Sequence, residues 1–232
     1  MRLVLVLVVV ALAGCGGDED DTALPQGDDP VEIEPSRFSS EIDHPFWPME
    51  PGTVWVYREG DQRVEVTVTD RTRIVMGVET RVVHDRVTED GVPVEDTFDW
   101  YAQDDDGNVW YFGEDTTEFE EGEPAGHAGA WEAGVDGALP GILLPADPEV
   151  GMTYRQEHYA GEAEDRAEVL SLDADVAVPY GNFTGALQTE DTTPLEPDVV
   201  EHKFYVRDVG PVLALKVKGE SGREELVAFT RR

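Results

Sequence analysis

Apolar and polar residues alternate along most of the chain, and that period of two constrains the fold more than any other feature. In Arg63-Val64-Glu65-Val66-Thr67-Val68 the three valines fall on one face of an extended strand and the polar residues on the other. "TVWVYREG", "ETRVVHDRVTEDG", "VEDTFDWYAQD" and "NVWYFGE" continue the pattern with Val, Thr, Trp and Tyr in abundance. The runs are parted by Glu89-Asp90-Gly91 and by Asp105-Asp106-Gly107-Asn108. Asp-Gly between such runs marks a hairpin, because glycine accepts the positive φ these turns need. No window sustains the 3.6-residue period of an amphipathic helix; Glu162 to Leu172 suits strand as well as a short helix. The expected class is all-β and antiparallel.

The pattern is stated twice. "PMEPGTVWVYREG" from Pro48 is echoed by "PEVGMTYRQEHYAG" from Pro148, with Gly52 matching Gly151 and Trp55 matching Tyr154. Further on, Gly77 meets Gly181, Tyr101 meets Tyr205, Asp104 meets Asp208, Gly107 meets Gly210 and Val109 meets Val212. Two meanders, about 48–113 and about 148–218, are expected to close into a β-barrel or a strongly curved sheet. The stretch between them, about 121–147, is rich in Gly, Ala and Pro and reads as an irregular connector. The folded domain spans 44–232 on this reading.

Ahead of that domain, Arg2 precedes an apolar run of 11 residues, Leu3 to Ala13, and then small Gly14. A positive start, an apolar run and a small residue are the layout of a secretory signal, here 1–14. The run is too short for a permanent membrane span, which takes roughly 20 apolar residues. Leu12-Ala13-Gly14-Cys15 resembles the lipobox of bacterial lipoproteins, whose cysteine is lipidated and becomes the mature N-terminus. The resemblance implies that Cys15, the single cysteine, is an acylated attachment point on the cell membrane or outer surface. From Gly16 to Asp43 the chain carries ten acids and one base, Arg37, and 15–43 reads as a lipidated cysteine with an acidic, disordered tether.

Across all 232 residues, 51 acids against 17 bases leave a formal charge of -34. Such a field repels nucleic acid, which is excluded as a partner, and favours cations and basic surfaces. No Ser, Cys or Lys nucleophile motif is visible, and nothing singles out two of the many carboxylates for glycoside hydrolysis, so the chain is not read as an enzyme.

Three stretches carry a further resemblance: His44-Pro45-Phe46-Trp47-Pro48-Met49-Glu50-Pro51-Gly52, Trp100 to Glu114 ("WYAQDDDGNVWYFGE"), and Trp131 to Gly137. These are similar to a family of uncharacterised bacterial lipoproteins and secreted proteins, a resemblance that runs from His44 to the C-terminus and implies no activity. In architecture, a tethered β-meander resembles the lipocalin-like proteins and envelope lipid carriers that enclose an apolar ligand.

Two candidate sites follow. Asp104, Asp106 and Asn108 set oxygen ligands at alternate positions, as in a calcium loop, although Val109 stands where such a loop needs glycine. The plain alternative is an acidic hairpin turn. The aromatic residues concentrate in the first repeat, and Trp110-Tyr111-Phe112 puts large rings on both faces of one strand. Either both faces are covered, with the connector residues Leu139, Ile142, Leu143 and Leu144 over the outer one, or one face lines a cavity. The cavity candidates are Trp55, Trp100, Trp110, Phe112 and Trp131. The favoured reading is therefore an exported, lipid-anchored binding or interaction module for an apolar ligand, a lipid or an envelope protein. A calcium- or basic-partner-binding surface protein is the alternative, and an envelope hydrolase the less favoured class.

Overall fold

A computed structural model describes residues 24–219 and 221–231. Its strands are β1 (Phe38–Ser39), β2 (Val54–Glu59), β3 (Gln62–Val75), β4 (Val78–Glu89), β5 (Val92–Asp104), β6 (Val109–Glu120), β7 (Glu123–Gly126) and β8 (Trp131–Glu132). They continue with β9 (Leu139–Leu144), β10 (Thr153–Arg155), β11 (Glu157–His158), β12 (Arg166–Val178), β13 (Gly181–Thr192), β14 (Val200–Val206), β15 (Gly210–Lys218) and β16 (Arg223–Thr230). The one helical element among the described residues is the 3-10 turn Pro35–Arg37. Every pairing is antiparallel, as the alternation requires.

The strand order is β10-β12-β13-β14-β15-β16-β2-β3-β4-β5-β6-β9-β11, a sheet that coils into a nearly closed barrel. Its two ends are consecutive in the chain. β10 pairs with β12 and β11 with β9, so the segment 153–158 bridges the gap between the two edges and breaks its ladder only at Gln156. Gly141 makes this seam possible, because a Cβ there would overlap the carbonyl oxygens of Arg155 and Gln156. Closure leaves little free edge for another chain to extend.

The two meanders share strand order and one hydrogen-bond signature. Gly52 N–H donates to Val68 O at 2.8 Å and Val68 N–H returns to Thr53 O at 3.0 Å; Gly151 N–H donates to Val169 O at 2.8 Å and Val169 N–H returns to Met152 O at 2.9 Å. Gly52 and Gly151 sit at φ 89° and 87°, the region that favours glycine. The pairings are not superposable throughout: Val83 faces Asp99, whereas Leu187, aligned with Val83, faces Tyr205, aligned with Tyr101. That slip of two residues preserves which side chains point inward, as a slip of one would not.

Two expectations need correction. Within the connector, Leu139–Leu144 is no loop but strand β9, paired with β6 through Val109↔Leu144 and Tyr111↔Gly141. Its LPGILL sequence is apolar enough to be buried on both faces, which the surrounding glycines and prolines disguise. In the expected tether, residues 24–43 lie on the barrel: Leu24, Ile33 and Phe38 pack against the core, Ile42 is buried, and Phe38–Ser39 pairs with β5. A few well-spaced apolar residues suffice because the barrel supplies ready-made seats. Arg155 fixes this segment at the seam, its guanidinium donating to the carbonyls of Gly27 (2.7 Å), Asp29 (2.9 Å) and Pro140 (2.9 Å). The signal segment 1–14, Cys15 and the residues to Ala23 lie outside the described residues.

Candidate functional site

The sequence-predicted residues end in different places. Trp55 and Phe112 are wholly buried, and Trp100 and Trp131 nearly so, and none of the four lines the cavity inside the barrel. Trp55 Nε1 donates to Val209 O at 2.6 Å, in the turn where Gly210 leaves room for the indole. Trp100 lies under the Arg73 guanidinium, 4.0 Å from ring centre to Cζ. Trp110 and Phe112 face outward from β6 and are capped by Phe38, in edge-to-face contacts at 5.9 and 5.6 Å. So the outer face is covered, by the N-terminal segment, and the inner face still borders a cavity through Tyr111, between the two rings that drew attention.

The calcium reading of Asp104, Asp106 and Asn108 gives way to a turn. The Asp104 carboxylate accepts from the backbone of Asp106 (3.1 Å) and Asn108 (2.8 Å), from Asn108 Nδ2 (2.9 Å) and from Trp110 Nε1 (2.7 Å). Asp106 pairs with Arg37 at 2.7 Å, and Asn108 Oδ1 accepts from Ala146 N–H at 2.9 Å. Both Asp104 oxygens, Asp106 Oδ2 and Asn108 Oδ1 thus already have donors.

The site that emerges is the barrel interior, a cavity of about 400 Å³ walled by β2 to β6 on one side and β14 to β16 on the other. The strands reach it from opposite halves with the same phase: β5 presents Asp99 and Tyr101, and β14 presents Lys203 and Tyr205. Rings form part of the wall. Trp47, from the segment before β2, lies 5.8 Å from Tyr101 and 6.2 Å from Tyr205, and Tyr101 stacks on Tyr111 at 4.9 Å. Tyr57 completes this wall and donates to Pro211 O at 2.9 Å.

The rest of the wall is acidic. Six carboxyl groups line it, from Asp85, Asp99, Glu114, Glu157, Asp165 and Glu224, against one base, Lys203. Burial, which disfavours the charged form, pushes Asp99 up to about 6, Glu114 and Glu157 to about 8 and Glu224 to about 7. The same cause raises Asp85 and Asp165 above the usual carboxylate range. The Tyr111 hydroxyl lies 2.8 Å from Asp99 Oδ1 and 3.0 Å from Glu114 Oε2. With one hydroxyl proton between two carboxyls, the natural arrangement is a protonated Glu114 donating to Tyr111, which donates to ionised Asp99. Trp131 Nε1 donates to Glu157 at 2.9 Å, so this predicted residue serves the cavity from behind its wall. Lys203 is held by Asp191 at 3.0 Å and Glu201 at 3.5 Å, which keep it charged. Asp85 also lines the cavity, and its buried Oδ1 has no hydrogen-bond partner.

No protein-family description matches this chain, and no curated protein does. Among solved structures it is similar to a protein from Bacteroides fragilis described as exported, with a YmcC-like fold: 12% identity over 80% of this chain and 99% of that one, TM-score 0.47. It is also similar to a protein from Parabacteroides distasonis described as a lipoprotein, at 10% identity over 80% and 98% of the two chains, TM-score 0.43.

Proposed function

We propose that the chain is an exported, lipid-tethered binding protein that holds a small ligand inside a barrel built from two copies of one meander. The cavity carries this reading. A space of about 400 Å³ falls in the range of small-molecule sites and combines an aromatic wall with a few convergent polar groups. The half-polar lining argues for an amphipathic ligand in place of the purely apolar one that the lipocalin-like resemblance implies. Export and anchoring rest on Arg2, the apolar run and the lipobox-like Leu12-Ala13-Gly14-Cys15. The matching turns at Gly52 and Gly151 support the duplication. Binding is preferred to hydrolysis because the carboxyls Asp99 and Glu114 are bridged by the Tyr111 hydroxyl, which occupies the place of an attacking water, and Glu157 is held by the Trp131 indole.

The test is native mass spectrometry of the full-length chain recovered from its source membranes without lipid stripping. A small co-purifying mass released by organic solvent supports the carrier; a bare chain that also takes up no added amphiphile overturns it. In parallel, Cys15→Ser should lose the acyl mass and leave the membrane fraction, and its retention there would overturn the anchor.

A further inference from the structure

The acid-rich composition puts carboxylates on the outer surface, where water solvates them, but it gives no reason for six inside the barrel. An interior carboxylate is costly unless a base or hydrogen-bond donors offset it. None of the six pairs with a base among the described residues, for the cavity's own Lys203 is taken by Asp191 and Glu201. Asp99 and Glu114 share a tyrosine hydroxyl, and Glu157 has an indole N–H. Asp85, with Oδ1 buried and unpartnered, has nothing to offset it on that side. Its electrostatic neighbours add no relief, being the acids Asp99, Glu224, Glu95 and Glu114.

Accepting the cavity as a binding site, we propose that its ligand is a small organic amine, its ammonium held by Asp85 and the neighbouring acids and its hydrocarbon part lying against Trp47, Tyr57, Tyr101 and Tyr205. An ammonium among these acids supplies hydrogen-bond donors and offsets the interior negative charge, and electron-rich ring faces attract it as well. The space is far larger than a metal ion needs. Among the described residues, moreover, no three His, Cys, Asp or Glu side chains group to ligate one. A carboxylate ligand would meet six acids and find one base already engaged.

The test uses three six-carbon probes of one shape, hexylamine, 1-hexanol and hexanoate, titrated calorimetrically into the full-length chain. Hexylamine should bind at least about tenfold more tightly than hexanol, with hexanoate weakest. Asp85→Asn should weaken hexylamine about tenfold and leave hexanol unchanged, a split that a folding defect would not produce. Hexylamine affinity should rise from about pH 5.5 to 8.5 as Asp99, Glu224, Glu114 and Glu157 ionise while the amine and Lys203 stay charged and the four tyrosines stay neutral. Equal binding of amine and alcohol, or tightest binding of hexanoate, overturns the amine and leaves a binding cavity. No binding by any probe across chains of roughly four to ten carbons overturns the cavity as a binding site, and the amine with it.

Discussion

The two meanders wind alike but furnish the barrel differently. β3 and β12 run 14 and 13 residues and β4 and β13 run 12 each, whereas β5 and β6 (13 and 12) outgrow β14 and β15 (7 and 9). Toward the cavity the first half offers Asp85, Asp99, Glu114 and three tyrosines, and the second half, at the aligned pair of positions, Lys203 and Tyr205. Shared turns and hydrogen bonds give the two halves one scaffold, on which the inward positions differ in charge. The longer half carries three of the six acids and no base; the shorter carries two, Glu157 and Asp165, beside the one base.

Removing the base should do the most damage. Lys203→Met leaves Asp191, only 8% exposed in its side chain, and Glu201 without their cation, and losing one partner of a buried pair costs about 3 to 5 kcal/mol. Urea unfolding should show that loss, and adding Asp191→Asn should restore part of it; an unchanged midpoint would mean that the second half does not depend on its one cavity base. Gly141→Ala strikes the seam where the halves meet. Forcing Arg155 and Gln156 away should cost about 2 to 3 kcal/mol and speed proteolysis at 153–158.

Stability should also depend on pH in a direction set by the interior acids. The folded pKa values of Asp99, Glu224, Glu114 and Glu157, about 6, 7, 8 and 8, lie above those of unfolded carboxyls. Their contribution is therefore full at low pH and lost as pH rises through about 6 to 8. Tm should fall by roughly 5 °C or more between pH 5 and pH 9. Glu114→Gln should flatten that slope, and the slope should survive high salt, which screens surface repulsion but not the interior. The smallest effect sharpens the likeness of the halves: Gly52→Ala and Gly151→Ala should cost the same, about 1 to 2 kcal/mol each, since both place a Cβ at φ near 90°. Unequal costs would show that the shared signature bears different loads in the two halves.

Much of the scaffold was legible because strand and turn chemistry are local. The valines 64, 66 and 68 do face inward, and Asp90-Gly91 turns with both φ values positive, 50° and 82°. Met76-Gly77 does the same at 49° and 83°, although a methionine there is harder to foresee. The site was not legible in the same way. Its acids come from β4, β5, β6, β11, β16 and the approach to β12, and in sequence they are six among 51. One signal was present: in Val83-x-Asp85-x-Val87 and Thr97-x-Asp99-x-Tyr101 an acid holds the inward phase of an alternating strand. The tryptophans drew attention through size, yet large rings mostly fill space, and only the barrel's curvature decides which of them border a void. β9 and the packed segment 24–43 were missed because their partners lie far away in sequence.

The grip of Arg155 on Gly27 and Asp29 has a geometric consequence for the whole particle. The same guanidinium reaches Pro140 at 2.9 Å, so force applied to the chain at Gly27 and Asp29 passes directly to β9 and the seam. With Cys15 acylated as proposed, a pull from that anchor would therefore load the barrel first at the seam that closes it.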